Sequence, residues 1–528
     1  MMCRTKCFCI LIIVALLHGC DTRSSGTPPE GESHRGELHF SMNAGWMNGP
    51  AELIHTGERY HLFYPCNPTE STRVTTHLGH AVSTDMLHWE ELPPALGPDS
   101  LGAIASGCVV LDEENSSGFG TTDNPPLIAI YTYHNYETEA AGGEEIESQG
   151  LAFSLDGGDT WTKYDGNPVI PGARHFRDPK VSRDDETGEW RMTVAQNGRV
   201  SFYRSSDLRQ WRPTGSFGTQ IGSEYDVWES PDLMKMRVAG TDDERWVLTT
   251  GIGMGETGEW GTGYFTGTLE DDNFTPDQTD PLWIDYGFDN YAGTTSALPD
   301  GRTVYIGCMN NWEYAAEVPT EGWKGSLTLP RELTLESLRG EYVLSQRPVG
   351  EIGMLQGRRT ELSDITVVQD IEREGLHRVK TKVAVTPSEI TVKFRTDELG
   401  TIGFAERFGI RIGNESGESV TIGYDSFNRL LYVDRGASST VKFSDSFKHT
   451  HLFPCDIEGS EALELHLVLD RGSLELFTVD GKIAMTDTFY PTGRFDLLDI
   501  FAENGRVTAE SVSVTGLKSV RESSGGVK

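Results

Sequence analysis

Three short segments of this chain carry side chains that could do chemistry. "HFRDPKV" sets Arg177 beside Asp178, "DVWESPDL" sets Glu229 beside Trp228, and "AGWMNGPAELIHTGERYHLFY" holds Trp46, Asn48 and Glu52. Carboxyl groups can give and take protons. A guanidinium can orient a carboxylate or a hydroxyl through its paired N–H donors. Trp46 and Trp312 offer flat apolar rings of the kind on which sugars stack their C–H faces. Each has a plainer reading too. An isolated Arg-Asp-Pro is most often a strand-end turn with an ion pair, a lone Glu a solvated surface residue, and a lone Trp part of a core. The sequence shows no C-x-x-C pair, ordered metal-ligand cluster, phosphate loop or nucleotide fingerprint, so neither metal nor cofactor is expected.

Such residues need a frame. A chain of 528 residues exceeds one ordinary domain and points to two. Its 59 Gly, 11 Trp, 17 Tyr and 22 Phe, with no long amphipathic helix, favour an all-β protein rich in turns. Between Glu37 and Leu335 one pattern recurs: Ser83, Asp85 and Trp89, then Ser154, Asp156 and Trp161, then Ser205, Asp207 and Trp211. Each reads as a strand, a turn capped by its own Asp, and a Trp that packs between sheets. Repeated short strands of this kind suggest propeller blades. The irregular spacing leaves chance likeness among hairpins as a competing reading. From about Val367 apolar and polar residues alternate, as in "LELHLVLD", and read as antiparallel strands of a sandwich. The excess of 80 acidic over 45 basic residues gives a net charge of −35, which repels nucleic acid and anionic lipid and suits a neutral substrate. An acidic, highly soluble surface explains the same charge.

Taken in order, "WMNGPAE", "HLGHAVSTDMLHWEELPPAL", "HFRDPKV", "DVWESPDL", "DYGFDNYAG", "WKGSLTLPRELTL" and "LDRGSLELFTVDG" resemble glycoside hydrolase family 32, the invertases, levanases and inulinases. The resemblance implies a five-bladed β-propeller over residues 37–335, a β-sandwich over 336–520, and a carbohydrate substrate: β-fructosides or related sugars. It implies that Asp178 holds substrate hydroxyls and supports the transition state, that Arg177 orients hydrogen bonds, and that Glu229 is the general acid/base. Trp228 and the funnel lining would raise the Glu229 pKa by desolvation. Asn48 and Ser106 would contact sugar, Trp46 and Trp312 would offer stacking surfaces, and Asp226 and Asp289 would support the site.

The first motif departs from the family. Where the family reads Trp-Met-Asn-Asp-Pro-Asn-Gly, this chain has Gly49 in place of the nucleophilic aspartate and Glu52 in place of the last glycine. Pro65, Leu78 and Ser230 replace a glutamine, a tryptophan and a cysteine. Glycine cannot attack or activate water. Glu52 is the nearby replacement, yet strand geometry can set it up to about 10 Å from position 49, as a mere solvated strand residue. The sequence leaves open a remodelled glycosidase, a sugar-binding pseudoenzyme and a structural surface protein.

The N-terminus reads as an export signal. Arg4 and Lys6 precede the apolar run "CILIIVALL", and Leu17, Gly19 and Cys20 resemble a bacterial lipoprotein signal in which Cys20 is acylated. An ordinary signal peptide is the alternative. Residues 21–36 have the composition of a tether and 521–528 that of a disordered tail. A membrane is expected as a partner only through that anchor. Of the remaining cysteines, Cys66, Cys108, Cys308 and Cys455 are expected as buried thiols, with one disulfide an alternative.

Overall fold

In a computed structural model of the chain, the described residues are 32, 34–74, 76–218, 227–253, 260–447, 449–457 and 462–521. The expected signal, Cys20, Asp226 and residues 522–528 lie outside them. Five mainly antiparallel sheets of four to six strands are followed by one of seven and one of six. The innermost strands of the five are β1 (Glu52–Thr56), β2 (Ala103–Leu111), β3 (Phe176–Arg183), β4 (Val227–Arg237) and β5 (Tyr291–Ala297). Each lies against the next, and β5 lies against β1, so the five blades close a ring about one axis. Trp323–Lys324 pairs in parallel with Gly45–Met47, tying the last blade to the first.

The recurring Ser-x-Asp segments sit between the third and fourth strands of blades 1, 2 and 3. Asp85 Oδ1 accepts from the Leu87 and His88 N–H groups at 2.9 and 2.8 Å, and Asp207 Oδ1 accepts from Arg209 and Gln210 at 3.0 and 2.8 Å. The short carboxylate supplies the partners that the turn's backbone would otherwise lack. Each Trp then folds back, its indole N–H donating to the carbonyl of Met86, Gly158 or Leu208 at 2.9–3.0 Å. Trp161 meets Phe63 of blade 1 edge to face at 5.7 Å, filling the gap between blades.

Blade 5 ends later than residue 335. Its sheet includes Arg331–Leu338 and Glu341–Pro348, and the strand Gln356–Asp370 opens the second unit. There a seven-stranded and a six-stranded sheet bury a common core, including Ile390, Phe394, Phe408, Ile410, Leu467 and Leu476. Each such side chain contributes about 1.5–3 kcal/mol relative to exposure. The two units meet over buried charge. Arg331 of blade 5 donates to Asp285 at 2.7 Å and to Glu475 of the sandwich at 2.8 Å. Arg435 of the sandwich pairs with Asp289 and donates to Tyr314 at 2.8 Å.

Candidate active site

The inner strands do not run regularly to the axis. Pairing slips between Ile104 and Gly107 in β2, Arg177 and Lys180 in β3, Glu229 and Asp232 in β4, and Tyr291 and Thr294 in β5. Bulges of this kind kink a strand and re-aim its side chains. Asp178, Ser230 and Ala292 fall in them with φ of 60°, 47° and 46°. Such positive angles are costly for residues with a Cβ and persist only where the surroundings enforce them.

The bulges bring the acidic groups together. Arg177 Nη1 donates to Glu229 Oε1 at 3.0 Å, and the Tyr291 hydroxyl donates to Glu229 Oε2 at 2.7 Å. Gly251, opposite Glu229 in the sheet, lets that ring approach: a Cβ there would stand 3.1 Å from it. The next residue, Ser230, donates its backbone N–H to Asp178 Oδ2 at 3.0 Å. Asp178 N–H in turn donates to Thr132 Oγ1 at 3.1 Å. Glu147 of blade 2 backs the arrangement, accepting from Phe176 N–H at 2.7 Å and pairing with Arg177 Nε at 3.1 Å. Burial, and then the neighbouring Glu229 carboxylate, push Asp178 up to about 7. Burial also pushes Glu147 up, but hydrogen bonds from His134 and the Phe176 N–H, with the Arg177 charge, hold it below the usual range. Among the described residues no group of three His, Cys, Asp or Glu is placed to hold a metal.

Residues 39–348 match the glycosyl hydrolases family 32 N-terminal domain, and residues 353–516 match the C-terminal domain of the same family. The chain belongs to glycosyl hydrolase family 32. A levanase of Bacillus subtilis (strain 168) is 36% identical over 502 residues, 93% of this chain and 71% of the levanase. An extracellular exo-inulinase of Aspergillus awamori is 31% identical over 87% of this chain and 90% of its own length. Among solved structures, exo-inulinase from Aspergillus awamori superposes with a TM-score of 0.83 at 29% identity, over 93% of this chain and 99% of that one. Fructofuranosidase from Schwanniomyces occidentalis, complexed with fructose, gives 0.83 at 28%, over 92% and 99%. The family's propeller and sandwich are the two units described above.

Asp178, Glu229 and Arg177 form one cluster. Ser106 lies in the β2 bulge, and the Asn48 N–H donates to Pro65 O at 2.9 Å. Trp46, 3% exposed, stacks on Trp312 with centroids 6.3 Å apart, and Arg73 caps the Trp312 ring at 4.3 Å. Trp228 corrects an expectation. Alternation along β4 turns it to the opposite face from Glu229, where it stacks on Phe265 at 6.1 Å within the core between blades 3 and 4. Arg177 and Tyr291 are the groups that meet the carboxylate. Asp289 is likewise elsewhere, buried against Arg435, Tyr314 and Thr488 at the sandwich. Cys66, Cys108, Cys308 and Cys455 are buried free thiols.

Position 49 is tight. A Cβ on Gly49 would stand 3.0 Å from the Ala292 carbonyl oxygen and 3.2 Å from Cys308 Cβ, so blade 5 would have to give by a few tenths of an ångström to admit a side chain. Glu52 is buried, and its Oε1 accepts from Lys180 Nζ at 2.7 Å. Sequence reasoning missed Tyr291, Glu147 and Lys180. Lys180 and Tyr291 stand within the quoted segments "HFRDPKV" and "DYGFDNYAG", and that is the one signal that could have marked them.

Proposed function

We propose that the cluster at the propeller axis hydrolyses β-fructosidic bonds, with Glu229 as proton donor and Asp178 as the carboxyl that holds the fructosyl hydroxyls. The observation that carries this reading is that each carboxyl is held by the other's chain neighbour: Arg177, which precedes Asp178, and Tyr291 bond Glu229, while Ser230, which follows Glu229, bonds Asp178. Family membership and the levanase and inulinase relatives support the substrate class.

Gly49 shapes the rest of the reaction. No side chain at that position can form a covalent fructosyl intermediate. The reacting carbon of a fructoside is a ketal carbon, and its cation is stabilised by the ring oxygen and two carbon substituents. Departure can therefore run ahead of attack. Glu229 protonates the leaving oxygen as the C–O bond breaks; water then adds to the cation and returns its proton to Glu229. The test is incubation with levan, inulin and sucrose, reading released fructose. Glu229→Gln is expected to lower kcat by about 10²–10⁴-fold. Mass spectra of quenched wild-type enzyme should show no fructosyl adduct. Fructose binding without release, unchanged in Glu229→Gln, identifies a binding protein and ends this reading.

Export is part of the proposal. The N-terminal composition supports it, and so do the extracellular inulinases among the relatives. We assign Cys20 as the lipid-bearing residue. Cys20→Ser should move the protein from the membrane fraction to the soluble fraction, and continued membrane retention would reject the anchor.

A further inference from the structure

Another change in the blade 1 motif, the gain of Glu52, has a partner in the structure. Lys180 Nζ donates to Glu52 Oε1 at 2.7 Å, to Thr294 Oγ1 at 2.9 Å and to the Thr295 carbonyl at 2.9 Å, and it lies 3.5 Å from Asp232 Oδ2. Asp232 Oδ2 in turn accepts from both the N–H and the hydroxyl of Thr295 at 2.7 Å. One ammonium thus joins β1, β3, β4 and β5 across the axis. Its contacts are not scattered along those strands. Lys180, Asp232 and Thr294 are each the first paired residue beyond the bulge of their own strand. The residues on the near side of the same bulges are Arg177, Glu229 and Tyr291. Anything that fixes the far side of the bulges fixes the near side.

We propose that Glu52 is a positioning residue: with Lys180 and Asp232 it forms a buried charged pin that ties blade 1 to the bulges of blades 3, 4 and 5 and holds those bulges in register beneath Asp178 and Glu229. This rests on the hydrolytic reading above and refines it. The pin is a property of this chain, since the family motif has glycine at position 52, and glycine offers Lys180 no carboxylate. The same geometry argues against Glu52 as a nucleophile. Its Oε1 is held by an ammonium in a buried layer with further bonds to blade 5, and an attacking carboxylate has to face the sugar. A pin of this kind matters because a misplacement of about 1 Å among catalytic groups can cost about 10²-fold in rate.

The experiment compares wild type with Glu52→Gln, Lys180→Met and the double variant, measuring kcat, KM and thermal unfolding. Glu52→Gln keeps shape and an acceptor but removes the charge. We expect kcat to fall by about 10- to 100-fold with KM changed less than about twofold. The double variant should be no slower than Lys180→Met alone, because a pin already broken cannot be broken again. Added azide should restore nothing. Unchanged kcat in Glu52→Gln, or losses that multiply in the double variant, overturns the pin. Loss of all turnover, with activity restored to Glu52→Gly by azide, makes Glu52 the nucleophile instead. Should Glu52→Gln fail to fold, Lys180→Arg, which keeps the charge but changes the donor geometry, is read in its place against the same kcat and KM expectations. If wild type releases no sugar from any fructan, the hydrolytic reading fails by itself. The pin is then read from fructose binding, which Glu52→Gln should weaken about tenfold and which an unchanged affinity would contradict.

Discussion

Asp178 is held in a backbone conformation that aspartate seldom adopts, half-buried, and beside a second carboxylate. All of this is unfavourable for a charge and is tolerable at a site that uses the group. The consequence for stability has a definite sign. Its pKa lies near 7 when folded against about 3.8 ordinarily, so between those values the folded protein binds more protons than the unfolded chain. Stability is then present in full below the lower value and is lost as pH rises through the upper one. Asp178→Asn does not titrate there. It should gain stability over wild type between pH 4 and 8, by on the order of 1 kcal/mol once partial solvent access is allowed for. Melting temperatures across that range decide it: a difference that is constant with pH would mean that Asp178 is not the strained proton carrier described. At this scale Asp178, Glu229 and Arg177 were legible because their motifs are contiguous in sequence. The partner of Glu52 was not, since Lys180 lies 128 positions away and only ring closure brings the two together.

The element that makes the site is the bulge. In β3 and β4 a proline follows the residue of positive φ, Pro179 after Asp178 and Pro231 after Ser230, and in β5 Gly293 follows Ala292. Proline gives no N–H to the ladder, which suits a strand that leaves its pairing there. These dipeptides were visible in the sequence. Their common level about the axis was not, because a bulge is defined by the strand it slips against. The Ser-x-Asp turns were legible for the opposite reason: the Asp, its acceptors and the Trp all fall within a few residues, and local hydrogen bonds decide the shape. Gly49 belongs to this scale too. The obvious restoration, Gly49→Asp, must push a Cβ against a backbone carbonyl at 3.0 Å and Cys308 Cβ at 3.2 Å. Blade 5 has to give by a few tenths of an ångström at a backbone carbonyl, so the substitution should cost about 1 kcal/mol and should not raise kcat. A Gly49→Asp variant that matches wild type in denaturant midpoint and works faster would show that the contact with blade 5 carries no cost.

Across the whole molecule, propeller and sandwich are joined by polar contacts that no local reading of either could supply. The alternating strands of the sandwich announced its two sheets, but nothing in "LELFTVDG" marks Glu475 as buried beside an arginine of blade 5. Arg331 is fully buried and bonds Asp285, Glu475, Gln346 and Thr486 at once. His39, from the segment that precedes blade 1, bridges Glu475 and Asp470 at 2.8 Å each, and those bonds hold it protonated, up to about 9, against the burial that opposes its charge. Burial likewise opposes ionisation of Glu475, but the Arg331 charge and the His39 bond bring it down to about 2. Arg331→Met keeps an unbranched apolar stem and removes the cation. Two carboxylates then stay buried with fewer partners, a loss that typically costs about 3–5 kcal/mol. The lower end is expected here, because Glu475 keeps His39 and Asp285 keeps the Thr486 N–H at 2.8 Å. The sign with pH follows from the same contacts. In wild type the depressed Glu475 pKa contributes stability that is present above about 4.5 and fades as pH falls towards 2. The variant has little of that contribution to lose. The gap between wild type and Arg331→Met should therefore be widest near pH 7 and should narrow steadily below pH 4.5. Denaturant unfolding at a series of pH values measures it. A gap that stays the same from pH 7 to 3 would mean that the variant loses packing alone, and that the charge buried between propeller and sandwich does not hold the two together.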